Sequence, residues 1–137
     1  MNYYAYESLK EAYKAFKKGE VPVGAVIVKE NKIIARAHNV RQYKYSVLGH
    51  AEIECILKAE RKIKDWRLDN CIMFVTLEPC DLCKTIIIES RLKQVYYLKS
   101  SNKHGKIYNN IIRTNDCKDV LEEYNRLFND FFELLRK

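Results

Sequence analysis

Residues 71–77 form a nearly unbroken apolar run, Cys71-Ile72-Met73-Phe74-Val75-Thr76-Leu77, followed at once by Glu78-Pro79-Cys80. A run of that length suits a strand covered on both faces, and a proline just beyond it suits the start of a helix. That helix is expected over residues 80–90, with a further strand over 94–98. Two strands joined through a helix form a βαβ unit, so these strands are expected to be parallel and the crossover right-handed. A strand buried on both faces needs helices above and below its sheet.

The remaining segments fit such a sheet. Residues 3–18 read as an amphipathic helix with Tyr6, Leu9, Tyr13 and Phe16 inward and Gly19 as its stop. Glu20-Val21-Pro22-Val23-Gly24 breaks the pattern before two strands, 25–29 and 33–37, joined through Glu30-Asn31-Lys32 as a hairpin. Residues 39–49 are a loop, and 50–63 a helix with Ile53, Ile56 and Leu57 facing the core. The polar, basic stretch 99–106 is a loop in which His104 is expected to be solvated, and Ile111-Ile112 a short fifth strand. Residues 117–136 form the last helix, its inner stripe being Val120, Tyr124, Leu127, Phe128, Phe131 and Leu135. The expectation is one α/β domain over 1–137, with a mixed sheet of about five strands flanked by helices.

Composition narrows the function classes. Hydrophobic residues make up 47% and charged residues 31% of the 137, as in ordinary globular proteins. No apolar stretch approaches the length of a membrane span, and the N-terminus lacks the apolar core of a signal peptide. The five cysteines are an odd number with no sign of a disulfide framework, so a reduced, cytoplasmic protein is expected. A net charge of +7 favours an anionic partner.

The candidate chemistry lies at two helix starts. Cys80 and Cys83 are three apart on one helical face, where the helix N-terminus favours thiolates. With His50 at the start of another helix they can close three sides of a tetrahedral zinc site, leaving the fourth open for water. Glu52, about 200° round a regular helix from His50, is a poor second ligand but can handle protons for that water. Two plainer readings stand beside this one. A Cys-x-x-Cys opening a helix after a strand is also the thioredoxin arrangement. A structural zinc would need a fourth ligand from His38, Cys55, Cys71, Glu78 or Asp81, none at a convincing spacing. Cys55, Cys71 and Cys117 read as small core or surface residues.

His50-Ala51-Glu52 with Pro79-Cys80-x-x-Cys83 matches the known signature of zinc deaminases acting on bases. The chain as a whole closely resembles bacterial tRNA-specific adenosine deaminases, which convert the wobble adenosine of an anticodon to inosine. The resemblance runs through Glu20-Val21-Pro22-Val23-Gly24-Ala25, Asn39, Asp65-Trp66-Arg67-Leu68, Val75-Thr76-Leu77-Glu78 and Asn129-Asp130-Phe131-Phe132. It implies a three-layer α/β/α cytidine-deaminase-like fold, a homodimer and one zinc ion per subunit. By matching position, His50, Cys80 and Cys83 would be ligands and Glu52 the proton shuttle. Asn39 would contact the flipped base, and the backbone at Ala51 and Cys80 would help hold it or the water. The last helix, with Phe131 and Phe132, would touch the tRNA anticodon loop. The chain departs from the family at Val47-Leu48-Gly49, where Pro-Thr-Ala is usual, and at Asn102-Lys103-His104-Gly105-Lys106. Both segments border the expected RNA pocket. Two alternatives carry the same motifs: a deaminase of a free base or nucleotide, and a non-catalytic, zinc-containing RNA-binding partner.

Overall fold

The apolar run of residues 71–77 becomes the middle strand of a five-stranded sheet in the computed structural model, which describes residues 2–101 and 105–136. His104, with Asn102 and Lys103, lies outside the described residues. The elements in chain order are α1 (Asn2–Lys17), β1 (Gly24–Lys29), β2 (Lys32–His38), α2 (Ala51–Ile63), β3 (Ile72–Leu77), α3 (Asp81–Glu89), β4 (Gln94–Lys99), β5 (Ile111–Arg113) and α4 (Lys118–Leu135). The sheet order is β2-β1-β3-β4-β5. β1 pairs antiparallel with β2 and β3, whereas β3–β4 and β4–β5 are parallel. This is the mixed sheet expected, with the βαβ unit at its centre.

Alternate residues of β3 serve two cores, as the period-two pleat requires. Met73 and Val75 pack with Cys55 and Ile56 of α2 and Ile87 of α3. Phe74 points the other way, between Tyr4 of α1 and Tyr96 of β4. On that face α1 and α4 meet through Ala5, Leu9, Tyr124 and Leu127. The layers are therefore α1/α4, sheet, and α2/α3. Among the described residues, no helix is long and apolar enough to cross a membrane.

Three expected core positions face outward. Tyr6 is 44% exposed, and the inner face of α1 is lined instead by Ala5, Ser8, Leu9, Ala12 and Ala15. Small residues are needed there because α1 lies almost on the backbone of β1. A Cβ at Gly24 would collide with the Ser8 carbonyl and the Ala12 nitrogen. Leu57 is exposed beside Trp66 in a shallow surface groove, and Leu135 lines another groove near the last turn of α4.

α1 also carries a buried acid. Glu11 accepts hydrogen bonds from Lys14 (2.7 Å), Arg36 (3.2 Å) and His38 (3.2 Å). Burial pushes its carboxyl up, but those three donors outweigh burial and hold it at about 2, against an ordinary 4.5. A depressed folded pKa stabilises above the unfolded pKa and is lost as pH falls through the folded one. Glu11→Gln should therefore cost about 3 kcal/mol near neutral pH. The gap from wild type should close between pH 4.5 and about 2, as chemical unfolding across that range can measure.

Candidate active site

The segment before β1 is fixed from α4. Tyr124, fully buried, donates its hydroxyl to the Pro22 carbonyl at 2.7 Å, and Thr76 Oγ1 accepts the Gly24 N–H at 3.1 Å. Val21 and Val23 are thereby held as one wall of a cavity of about 430 Å³, within the usual range for a small-molecule site. Asn39 follows β2 directly and lines the same cavity. Its N–H bonds the Val23 carbonyl at 3.0 Å, and its Nδ2 reaches the Val21 carbonyl at 3.4 Å. Its Oδ1 is buried with no hydrogen-bond partner among the described residues. A buried acceptor left unpaired is unfavourable by about 1–3 kcal/mol, so it marks a place where a ligand's donor would be welcome.

Residues 40–49 form a closed loop. The Val40 N–H bonds the Gly49 carbonyl at 2.8 Å where the two strands of the loop cross. A Cβ at Gly49 would come within 2.7 Å of the Arg41 nitrogen. This close crossing explains why residue 49 is a glycine. His50 caps α2 in extended conformation (φ −77°, ψ 145°), so the helix starts one residue later than expected. Cys80 is likewise the extended cap of α3 (φ −71°, ψ 170°). The wheel argument separating His50 from Glu52 does not apply to an extended cap, and the two residues end up lining one cavity.

His50, Cys80 and Cys83 come together as a group that could hold a metal ion, with donor atoms all within 4.8 Å of one another. Tetrahedral zinc with ordinary Zn–S and Zn–N bonds spaces such atoms about 3.6–3.8 Å apart, so modest closing suffices. Cys83 is fully buried, whereas Cys80 is exposed. The Cys80 thiol is lowered to about 5. Hydrogen bonding from Cys83 contributes most; burial opposes it, and the N–H groups of Cys83 and Leu82 with nearby His50 assist. Cys83 is pushed up in turn by the same hydrogen bond and by burial, so the pair shares a proton that a metal would displace. Glu52 is 4% exposed and lines the cavity beside them. Burial chiefly raises its carboxyl to about 7, and the nearby Cys80 charge adds to the rise.

The fourth-ligand candidates are engaged elsewhere. His38 faces Glu11 and Lys18, and Cys55 and Cys71 donate to the Ala25 and Asp69 carbonyls. Glu78 accepts from Lys84 and the Ser101 N–H, and Asp81 from the Lys106 N–H. Cys117 is buried.

Ala51 is fully buried and lines the cavity, as does Phe132. Phe131 does not: it is 7% exposed, with its ring 6.3 Å from that of Phe16. Phe131 lines the adjoining cavity instead, and Phe128 joins Phe132 in the first one, since residues 128 and 132 are one helical turn apart and share a face. Two further lining residues were not anticipated. Lys84 is 5% exposed and donates to Glu78 (3.2 Å) and the Lys106 carbonyl (2.7 Å). Its i,i+4 spacing from Cys80 was the available signal. Arg41, two residues after Asn39, is exposed and lines the cavity too.

Residues 2–136 match the family model of MafB19-like deaminases, and the chain belongs to that deaminase family. The tRNA-specific adenosine deaminase of Aquifex aeolicus is 38% identical over 143 residues, covering 98% of this chain and 95% of that protein. The protein so named from Rickettsia bellii is 44% identical over 135 residues, covering 96% of this chain and 93% of its own. A solved structure from studies of A-to-I editing by tRNA:A34 deaminases at the wobble position of transfer RNA has a TM-score of 0.76. It is 29% identical and covers 82% of this chain and 97% of that one.

Proposed function

We propose that the protein hydrolyses the 6-amino group of the wobble adenosine in a tRNA anticodon, giving inosine and ammonia. One observation carries this reading: a single cavity gathers the His50, Cys80 and Cys83 donors, the buried Glu52 carboxyl and the unpartnered Asn39 oxygen. The relatives' names supply the substrate, and both match nearly the whole chain.

His50, Cys80 and Cys83 would hold one zinc ion per chain; the donor set, one imidazole and two thiols, suits zinc. When bound, the ion supplies the Lewis acidity that makes water a competent nucleophile at neutral pH. Glu52 takes a proton from that water at a carboxylate oxygen and returns it to the departing amine. A carboxyl held near 7 is matched to both halves of that transfer. Asn39 accepts a hydrogen bond from the bound nucleoside, while Val23, Leu77 and Phe128 exclude bulk water. A target base must leave its stack to enter, which single-stranded loops allow at little cost. The net charge of +7 favours phosphate contacts along such a loop.

The protein acts in the cytoplasm as a homodimer in this reading. Leu57 (40% exposed) and Trp66 (57%) border a groove with Ile53, Ile56 and Ile86, an apolar surface suited to a second copy. Light scattering should give twice the chain mass for the wild type and a shift toward the single mass for Leu57→Asp.

Purified, zinc-loaded protein tests the activity directly. It should convert adenosine to inosine in an anticodon stem-loop and leave free cytidine, guanine and deoxycytidylate untouched. Ammonia release from a free base with the RNA unchanged would overturn the reading. RNA binding without conversion would make the protein a non-catalytic partner.

A further inference from the structure

Lys84 places a nearly buried cation in the wall of the active cavity. It projects from the first turn of α3, next to Cys83 and one turn beyond Cys80, and is 5% exposed. Ile87, a turn further along the helix, packs into the core. An apolar side chain at 84 would serve that packing as well, and a buried charge is unfavourable unless it is paired and hydrogen-bonded. Two carboxylates share the same wall, Glu78 and Asp81. Beside a site that admits RNA they are unfavourable too, because they repel its phosphates.

All three charges are engaged with one segment of chain. Glu78 fixes its near end: the Glu78 N–H bonds the Lys99 carbonyl at 2.8 Å, and Glu78 Oε1 accepts the Ser101 N–H at 3.0 Å. Asp81 fixes its far end, Oδ1 accepting the Lys106 N–H at 3.0 Å. Lys84 bridges the two ends, donating to Glu78 Oε2 at 3.2 Å and to the Lys106 carbonyl at 2.7 Å. The far end runs so close to α3 that a Cβ at Gly105 would meet Asp81 Oδ1 at 2.5 Å. Lys106 is exposed and Ile107 is 92% exposed, so polar ties rather than apolar burial hold that end. Ser101 and Gly105 themselves line the cavity.

We propose that Lys84 is a positioning residue for substrate binding. Its ammonium locks Ser101 and Gly105-Lys106 against the helix that Cys80 and Cys83 open, and so sets the wall against which the target nucleoside seats. The inference rests on the deaminase reading above and adds to it what holds that side of the pocket. Lys84 acts through the segment and touches no reacting atom. Its loss loosens the seat while the metal donors and Glu52 stay in place, so binding suffers more than turnover.

The test compares wild type, Lys84→Met and the pair Lys84→Met with Glu78→Gln, all zinc-loaded. Methionine fills the space without the charge. Glutamine then removes the carboxylate left without its cation and keeps an acceptor for the Ser101 N–H. Exchange of the Ser101 and Lys106 amides is read by NMR, melting by calorimetry, and kcat and KM from inosine formed in an anticodon stem-loop. Both variants should hold about one zinc per chain, since neither loses a clustered donor. Both should raise KM about ten-fold with kcat nearly unchanged, the scale of one lost hydrogen bond to a charged group. The Lys106 amide should exchange about ten-fold faster, for the same lost bond. The double variant should melt close to wild type, because a buried pair replaced together by neutral side chains leaves no charge uncompensated. A lysine with a merely structural role predicts instead that KM returns to the wild-type value in the double variant. That result overturns the proposal, as do unchanged Lys106 exchange and a loss confined to kcat. A wild type that forms no inosine sinks the deaminase reading; Lys106 exchange and binding of the same RNA, read by fluorescence anisotropy, then decide the role of Lys84.

Discussion

Glu52→Gln will reduce turnover by about a thousand-fold, the scale of losing a positioned general acid–base. Glutamine keeps the size and polarity of the side chain but accepts no proton, so both halves of the proposed transfer fail together. Metal content should be unaffected, because Glu52 is not among the three clustered donors. Stability separates this outcome from simple structural damage. The Glu52 carboxyl is held at about 7 by burial, against an ordinary 4.5. A carboxyl with a raised folded pKa favours the folded state below 4.5, and that contribution is lost as pH rises through 7. At pH 8 a neutral glutamine removes a buried charge, so the metal-free variant should melt no lower than metal-free wild type. A variant that melts normally and still makes inosine at the wild-type rate would remove Glu52 from the mechanism.

Cys80→Ala or Cys83→Ala should abolish both zinc binding and activity. Elemental analysis of the wild type should give about one zinc per chain, and each variant close to none, since two protein ligands rarely retain the ion. The effect on melting follows from linkage: zinc should raise the wild-type transition and leave the variants where they were. Cys80→Ser should fail as well. The Cys80 thiol, lowered to about 5, is available as thiolate at neutral pH, and a serine hydroxyl is not. The same experiment addresses the redox alternative. A dithiol enzyme would lose function on either substitution yet keep it after chelation, whereas a zinc hydrolase loses it both ways. It also bears on a purely structural ion. Such an ion needs a fourth protein ligand, and among the described residues the clustered donors are His50, Cys80 and Cys83.

What the sequence made legible followed from strong local patterns. The run at 71–77 needs two covered faces, and β3 sits mid-sheet between α1/α4 and α2/α3. Proline spacing placed the start of α3 within one residue, and the motif spacing brought His50, Cys80 and Cys83 together. The misses were tertiary. Nothing local shows that α1 lies against Gly24, so a stripe running through Tyr6 looked as good as the small-residue face that packs. Phe131 and Phe132 are adjacent in sequence, but a helix sends neighbours about 100° apart; Phe132 reaches the first cavity together with Phe128, and Phe131 lines the adjoining one. Lys84 and Arg41 carried no distinguishing signal, because their burial or placement depends on segments distant in sequence.

Sequencing tRNA from cells depleted of the protein tests the central claim most directly. Inosine is read as guanosine on reverse transcription, so depletion should convert guanosine reads at a wobble position into adenosine reads. Restoring the wild-type chain should return the guanosine signal, and restoring Glu52→Gln should not. Wobble positions that keep reading as guanosine throughout depletion would contradict the account.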